Sequence, residues 1–373
     1  MKIGIYAPAL TVYGGGEKYI GKIAEILSRE NDVAFIALAK PDFKKLEGRL
    51  NIDLGRVAID NIGSPALPVH SRIAILFNFV NAYRISRHTR KYELFVNQEH
   101  VTFIPSHSQR SILICEVPPV RSLLNRNPFI DLFFDPKIET YDRVVVNSRF
   151  TKSWAEEYYR KEATVLYPPV DTESFIPSSK GNIILSVGRF STALHCKKQL
   201  EMVQAFKKLY TAQKLMDWEY HLVGGLGRSP RDHKYLEDCK KEAKDYPILF
   251  HANAPFEVMK ALYGTAKVFW HATGIGEDEI EHPERMEHFG ITTVEAMSAG
   301  CVPIAINKGG QPEIVQDKIS GFLFETVEEL NSHTLKLIKN DALWRKMSEA
   351  CMKRSQEFSL EKFERRVLDV FHS

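Results

Sequence analysis

Short runs of contiguous apolar residues alternate along this chain with longer stretches in which apolar positions recur every three or four residues. Residues 2–7, Val33–Ala39, Leu94–Asn97, Ser111–Cys115 and Arg143–Asn147 are of the first kind and read as buried strands. The Gly14-Gly-Gly16 turn follows the first strand, and a helix is expected from about Glu17 to Arg29. A strand, turn, helix and strand in succession form a βαβ unit, so the class is α/β with a parallel sheet. Ser148 reads as the cap of a helix with Phe150 and Trp154 on its apolar face, and Val165–Asp171 as a strand ending in a proline-stiffened turn. Residues 171–181, with Pro177 and Ser178-Ser-Lys-Gly181, read as a linker. A second strand series then begins: Asn182–Arg189, Glu219–Gly225, Ile248–Phe250, Val268–Trp270 and Val302–Ile306, with a helix from about Lys197 to Leu209. The tail from Phe358 to Phe371 is amphipathic and capped by Ser359. The expected organisation is a Rossmann-like domain over 1–175, a second over 176–355, and a closing helix over 356–373. Two such sheets fit two Rossmann-like domains facing across a cleft.

Length and composition support that division. At 373 residues the chain exceeds one ordinary core, and 44% apolar with 26% charged residues is the balance of a globular protein. No apolar run is long enough to span a bilayer, and the start lacks the pattern of a signal peptide. Five scattered cysteines without a C-x-x-C pair suggest neither a disulfide framework nor a zinc site, so a reducing cytoplasmic setting is expected. Charge is uneven: residues 1–170 hold 23 basic against 18 acidic side chains, the remainder 27 against 29. The excess gathers at Arg84, Arg87, Arg90 and Lys91 beside the apolar stretch Ile73–Val80. That pattern fits either a core helix with a solvated basic face or a patch in peripheral contact with the anionic inner face of a membrane. No nucleic-acid partner is expected.

Candidate chemistry concentrates in Glu287-His-Phe-Gly-Ile-Thr-Thr-Val-Glu295. Gly290 and the threonines read as a helix start, with Thr292 or Thr293 as cap, and Gly300 as its stop. A helix start attracts phosphate. On one continuous helix the two glutamates would lie about 80° apart and roughly 12 Å along the axis. With Glu287 in the loop instead, they flank the phosphate position and can bind hydroxyls on either side, which is the shape of a sugar nucleotide. Arg189, closing a strand, and Lys197, opening the next helix, can converge on one diphosphate. The acidic run Glu277-Asp-Glu-Ile-Glu281 reads as a solvated loop, and no protein-bound metal or other cofactor is expected.

The string from Glu287 through Gly309-Gly310-Gln-Pro-Glu313-Ile-Val resembles the E-x7-E region of the retaining glycosyltransferases of family 4, which have the GT-B architecture. Trp270-His-Ala-Thr-Gly-Ile-Gly276 and Pro283-Glu-Arg-Met-Glu287 resemble a mannosyltransferase-like branch. The resemblance implies transfer of a hexose, mannose in that branch, from a GDP- or UDP-sugar to a glycan or lipid-linked acceptor with retention. It implies an acceptor-binding first domain, a sugar-nucleotide-binding second domain and a last helix, 356–373, that crosses back to the N-terminal domain, with Arg189, Lys197 and Glu287 as catalytic residues, and Gly15, Gly16, Phe289, Gly290, Ile291, Thr292 and Glu295 as donor-binding positions. The family's usual arginine-to-lysine spacing is shorter, which leaves Lys198 as an alternative to Lys197. The chain also departs from the family after the Ile112–Cys115 strand, where Glu116 stands in place of a histidine. Glu116 is the candidate N-terminal catalytic residue, with His100 and His107 as alternatives. His251–Phe256 is the expected base-recognition segment. Two other readings fit the same features: a nucleotide-sugar epimerase of this architecture, and a non-catalytic sugar-nucleotide or glycan-binding protein.

Overall fold

A computed structural model of the chain describes residues 1–8, 10, 14–63, 74–99, 102, 104–118, 137–192, 195–213 and 215–372. The chain divides into two compact units, Met1–Pro169 with Phe363–Ser373, and Val170–Lys362. The sequence expectation placed these divisions near 175/176 and 355/356. No helix among the described residues is long and apolar enough to cross a membrane.

In the first unit the strands are β1 (Lys2–Tyr6), β2 (Asp32–Ala37), β3 (Ala58–Asn61), β4 (Leu94–Asn97), β5 (Arg110–Cys115), β6 (Arg143–Val146) and β7 (Ala163–Val165). They form one parallel sheet in the order β3-β2-β1-β4-β5-β6-β7. Side-chain alternation sends Ile3, Ile5, Ile112 and Ile114 into one core and Tyr6, Leu113 and Cys115 into the other. With both faces covered, the central strands are nearly continuous in apolar residues, which is why their runs stand out in the sequence. The tail helix Leu360–His372 places Phe363, Val367, Val370 and Phe371 in the first of these cores. Their spacing puts them on one helical face. Arg110 and Arg143 donate to the carbonyls of Phe371 and Val370 at 3.1 and 2.9 Å, closing the helix's C-terminal end.

In the second unit β8 (Ile183–Val187), β9 (Glu219–Gly224), β10 (Ile248–Ala252), β11 (Val268–His271), β12 (Val302–Ile306) and β13 (Phe322–Phe324) pair in parallel in the order β10-β9-β8-β11-β12-β13. In both sheets the strand order reverses direction once, between β1 and β4 and between β8 and β11. Ligands of such sheets bind beyond the strand C-termini at that reversal.

Two sequence expectations are corrected here. Ser148 does cap the helix Arg149–Tyr159, accepting from Thr151 N at 3.0 Å. Its buried face, however, is Thr151, Ala155, Tyr158 and Tyr159, with Phe150 and Trp154 only half-buried. The two tyrosines at its end supply the bulk that the aromatic pair seemed to offer. The strand expected over Val165–Asp171 is instead β7, Ala163–Val165, which ends before the prolines Pro168 and Pro169; strands β3 and β13 had no signal, being short and at a sheet edge.

Candidate active site

The reversal point of the second sheet gathers the predicted residues. Gly188 and Arg189 follow β8, His271 ends β11, and the helix Ile291–Ser298 precedes β12. Arg189 is exposed. Gln199, buried at the start of the helix Gln199–Gln213, donates to the carbonyls of Gly188 and Arg189 at 3.2 and 2.9 Å and so fixes the turn that carries the arginine. Lys197 lies across Gly188, where an added Cβ would come within 2.6 Å of the lysine Cγ. Glycine at 188 is therefore what lets the lysine reach inward.

Lys197 Nζ is ion-paired with Glu287 Oε2, and His271 Nε2 meets the same oxygen at 2.8 Å. Both contacts fall on Oε2, and among the described residues no hydrogen bond is made by Oε1. Burial alone would push the Glu287 carboxyl up, but the Lys197 ammonium and the His271 hydrogen bond outweigh it and hold the carboxyl well below the ordinary range. Burial also holds His271 below the usual histidine value, against the pull of Glu287. A neutral ring beside a carboxylate must donate, so Nε2 carries the proton. Lys198 points elsewhere: its ammonium pairs with Glu277 at 2.7 Å and Glu201 at 3.7 Å. Of the two lysines, only Lys197 touches Glu287.

The helix start is open. Its N-cap is Gly290, with φ 116°, and no side chain caps it. The expected threonine cap is corrected: Thr293 Oγ1 instead donates to Gln311 Oε1 at 2.8 Å, and Gln311 Nε2 donates to the Phe289 carbonyl at 3.1 Å. A Cβ on Gly290 would fall 2.1 Å from Gln311 Nε2, so the left-handed glycine and the buried glutamine require each other. Gly309 and Gly310 let the following loop lie on the backbone of residues 286–289, with Gly310 N donating to the Glu287 carbonyl at 2.7 Å. Phe289 is buried against Phe358 at 5.4 Å, so it can offer a ligand backbone only. Ile291 and Thr292 form the first helical turn, half-buried. Glu295 Oε2 accepts from Tyr263 Oη at 3.0 Å. Gly300, with φ 72°, ends the helix as expected.

The acidic run is not simply solvated. Glu277 pairs with Lys198 and with Arg285 at 2.9 Å, Glu279 accepts from Gly309 N at 2.9 Å, and Asp278 Oδ1 accepts from the backbone N–H groups of Ile280 and Glu281. These contacts pin the loop that carries Glu287. In the base-recognition segment, His251 belongs to β10 and stacks on His221, while Asn253 joins Leu226 through both its amide atoms.

In the first unit Gly16, Gln98 and Glu116 follow β1, β4 and β5 and meet at that sheet's reversal point. Gln98 Nε2 donates to Glu116 Oε1 and to the Gly16 carbonyl, the latter at 2.9 Å. A Cβ on Gly16 would stand 3.1 Å from Glu116 Oε2. Gly15 opens the helix Gly15–Leu27, and Gly14 N donates to Glu17 at 2.6 Å. Burial pushes the Glu116 carboxyl up to about 7; the Gln98 hydrogen bond opposes this and the Glu17 carboxylate adds to it. Of the alternatives, His107 is exposed, and His100 lies outside the described residues.

Sequence reasoning missed His271, Gln311, Tyr263 and Gln98 as parts of these sites. His271 and Gln311 stood inside strings already singled out, but each acts through a partner far along the chain.

The family described as Glycosyl transferases group 1 matches residues 171–357. A GDP-Man:Man(3)GlcNAc(2)-PP-Dol alpha-1,2-mannosyltransferase of Xenopus laevis is 27% identical over 202 residues, covering 50% of this chain and 39% of that protein. The alpha-1,3/1,6-mannosyltransferase ALG2 of Mus musculus is 25% identical over 246 residues, covering 58% and 56%. The match thus spans about half the length of the curated relatives. A glycosyltransferase from Rickettsia africae superposes with a TM-score of 0.72 at 19% identity, covering 99% of this chain and 97% of that one. Anabaena Alr3699/HepE, solved with UDP and glucose, gives 0.69 at 16% identity with both chains fully covered. At such identities the likeness shows the fold, two parallel-sheet domains of the GT-B type. The family match runs from just before Arg189 and Lys197 to beyond the Glu287–Glu295 run and takes in half the chain, and by it the protein belongs to the glycosyl transferases group 1.

Proposed function

We propose that this protein transfers a hexose, with mannose the first candidate, from a nucleoside diphosphate sugar to a hydroxyl of a glycan or lipid-linked acceptor, with retention at the anomeric carbon. The observation that carries the reading is the arrangement around Glu287. Two contacts hold one carboxylate oxygen and leave the other for a sugar hydroxyl, beside the exposed Arg189 and an uncapped helix start. Arg189, Lys197 and the first-turn N–H groups at Gly290–Thr292 would take up the charge that develops on the departing diphosphate. Glu295, oriented by Tyr263, would bind the ribose diol. Glu287 is held by a lysine and a histidine. A same-face displacement assisted by the leaving phosphate therefore fits better than a covalent intermediate. Glu116, protonatable near neutral pH, is the proposed acceptor-side acid–base group. Relatives named for GDP-mannose and dolichol-linked glycans favour that donor and a lipid-linked acceptor, and a neighbour solved with UDP keeps UDP-sugars in view.

A second reading concerns place of work. The helix Ala74–His88 leaves Phe79, Val80 and Tyr83 exposed with Arg84 and Arg87, and their spacing puts them on one face. Aromatic rings among arginines suit the interface of an anionic membrane.

A panel of sugar nucleotides followed by thermal unfolding tests the donor site. A cognate donor at 100 times its dissociation constant should stabilise the protein by about 2.7 kcal/mol. The anomeric configuration of the product, read by NMR, tests retention. If Arg189→Ala and Glu295→Ala both turn over like the wild type, the assignment is wrong.

A further inference from the structure

The segment between Arg189 and Lys197 carries a third nitrogen base, His195. Its backbone is left-handed, φ 63°, unusual for a residue with a side chain. Two contacts hold it: His195 Nδ1 lies 3.1 Å from the Met286 carbonyl, and the ring stands edge-on to His288 with centroids 4.3 Å apart. A carbonyl only accepts, so Nδ1 must be the protonated nitrogen. The neutral ring therefore presents a bare lone pair at Nε2, and among the described residues Nε2 makes no hydrogen bond. We propose that His195 is a further ligand of the donor diphosphate and binds it as the imidazolium, so that donor binding takes up one proton. This rests on the donor-site reading above.

The surrounding charges explain why the proton arrives only with the ligand. Burial pushes His195 below the ordinary histidine value; Glu287 pulls it up, Lys197 pushes it down, the Met286 carbonyl favours the charged form, and Arg189 disfavours it. The free ring is thus neutral at physiological pH. A phosphate oxygen facing Nε2 reverses the balance: a lone pair repels it, whereas an N–H donates a charge-assisted hydrogen bond. Neither neighbouring histidine can take this role. His271 has committed Nε2 to Glu287, and His288 is held neutral chiefly by burial.

Linkage fixes the sign. His195 binds its proton more tightly in the complex, so affinity rises as pH falls between the free and bound values and levels off below the free value. Titration calorimetry of the full chain with GDP-mannose and UDP-glucose between about pH 6 and 8.5, in buffers of different ionisation enthalpy, measures the uptake directly. A sugar nucleotide is the right probe, because its diphosphate diester does not itself titrate there. The wild type should show net proton uptake and up to about tenfold tighter binding per pH unit lowered. His195→Gln, which keeps an N–H near the Nε2 position but cannot titrate, should bind with a flat pH profile. His195→Asn, which keeps the Met286 contact and loses the reach, should bind more weakly and equally flat. Proton uptake that survives in both variants, or wild-type binding that is tight and flat with pH, overturns the role of His195 while leaving the donor site standing. Failure of the wild type to bind either nucleotide would remove the donor-site reading and this inference together.

Discussion

At the residue scale, two carboxyl groups respond to pH with opposite sign. Glu287 is held below its unfolded value, about 4.3, so its contribution to stability is present above that value and is lost as pH falls through the folded value. Chemical denaturation should show the wild type losing more stability than Glu287→Gln between about pH 5 and pH 2. Glu116 is raised to about 7, so its contribution is complete below the unfolded value and lost as pH rises through 7. Glu116→Gln should therefore gain stability relative to the wild type between about pH 5 and pH 8. The adjacent lysines should also separate. Lys197→Met is expected to lower kcat/KM by about 10²- to 10³-fold, the scale of one lost transition-state charge contact. Lys198→Met, losing only its partly exposed pairs with Glu277 and Glu201, should cost about 1 kcal/mol of stability and leave steady-state rates near the wild type.

At the element scale, the helix start at Gly290 combines a backbone and a packing requirement. A side chain there meets both a disfavoured φ and the Gln311 amide. Gly290→Ala should destabilise by about 2 kcal/mol in equilibrium unfolding and abolish the donor-induced thermal shift. The tail helix is legible from its sequence, because Phe363, Val367, Val370 and Phe371 mark one face. The family resemblance implied that this helix crosses back to the N-terminal domain, but not which side chains meet it there: Tyr19, whose ring lies 5.7 Å from that of Phe363, stands at the other end of the chain. Phe363→Ala should cost about 3–5 kcal/mol. The helix after Ser148 shows the opposite case. Its cap was legible, while its buried face depended on which side the sheet lay, and local pattern alone favoured the wrong aromatic pair.

At the scale of the whole molecule, parallel sheets with a single reversal explain why scattered motifs become sites. Residues after β1, β4 and β5 meet in one unit, and residues after β8, β11 and the Glu287 loop meet in the other. The proposed membrane contact belongs to this scale as well. Sedimentation with vesicles rich in phosphatidylserine should bind the wild type, weaken with salt as the Debye length shrinks, and fall several-fold in Phe79→Ser/Tyr83→Ser and in Arg84→Glu/Arg87→Glu. Equal binding by all three proteins would remove the membrane reading.

The sequence by itself determined the class of fold, most central strands and the Glu287–Glu295 run, because these depend on local quantities: apolar periodicity, glycine placement and residues close in the chain. It also carried Arg189 and Lys197 as candidates, with Lys198 unresolved. Tertiary structure alone decided that Lys197 meets Glu287, that His271 shares the same oxygen, that Gln311 locks the helix start, and that Gln98 holds Glu116. Each of these joins side chains from separate strands or loops. Their distances and charge states follow from burial and strand order, which no local stretch of the chain encodes.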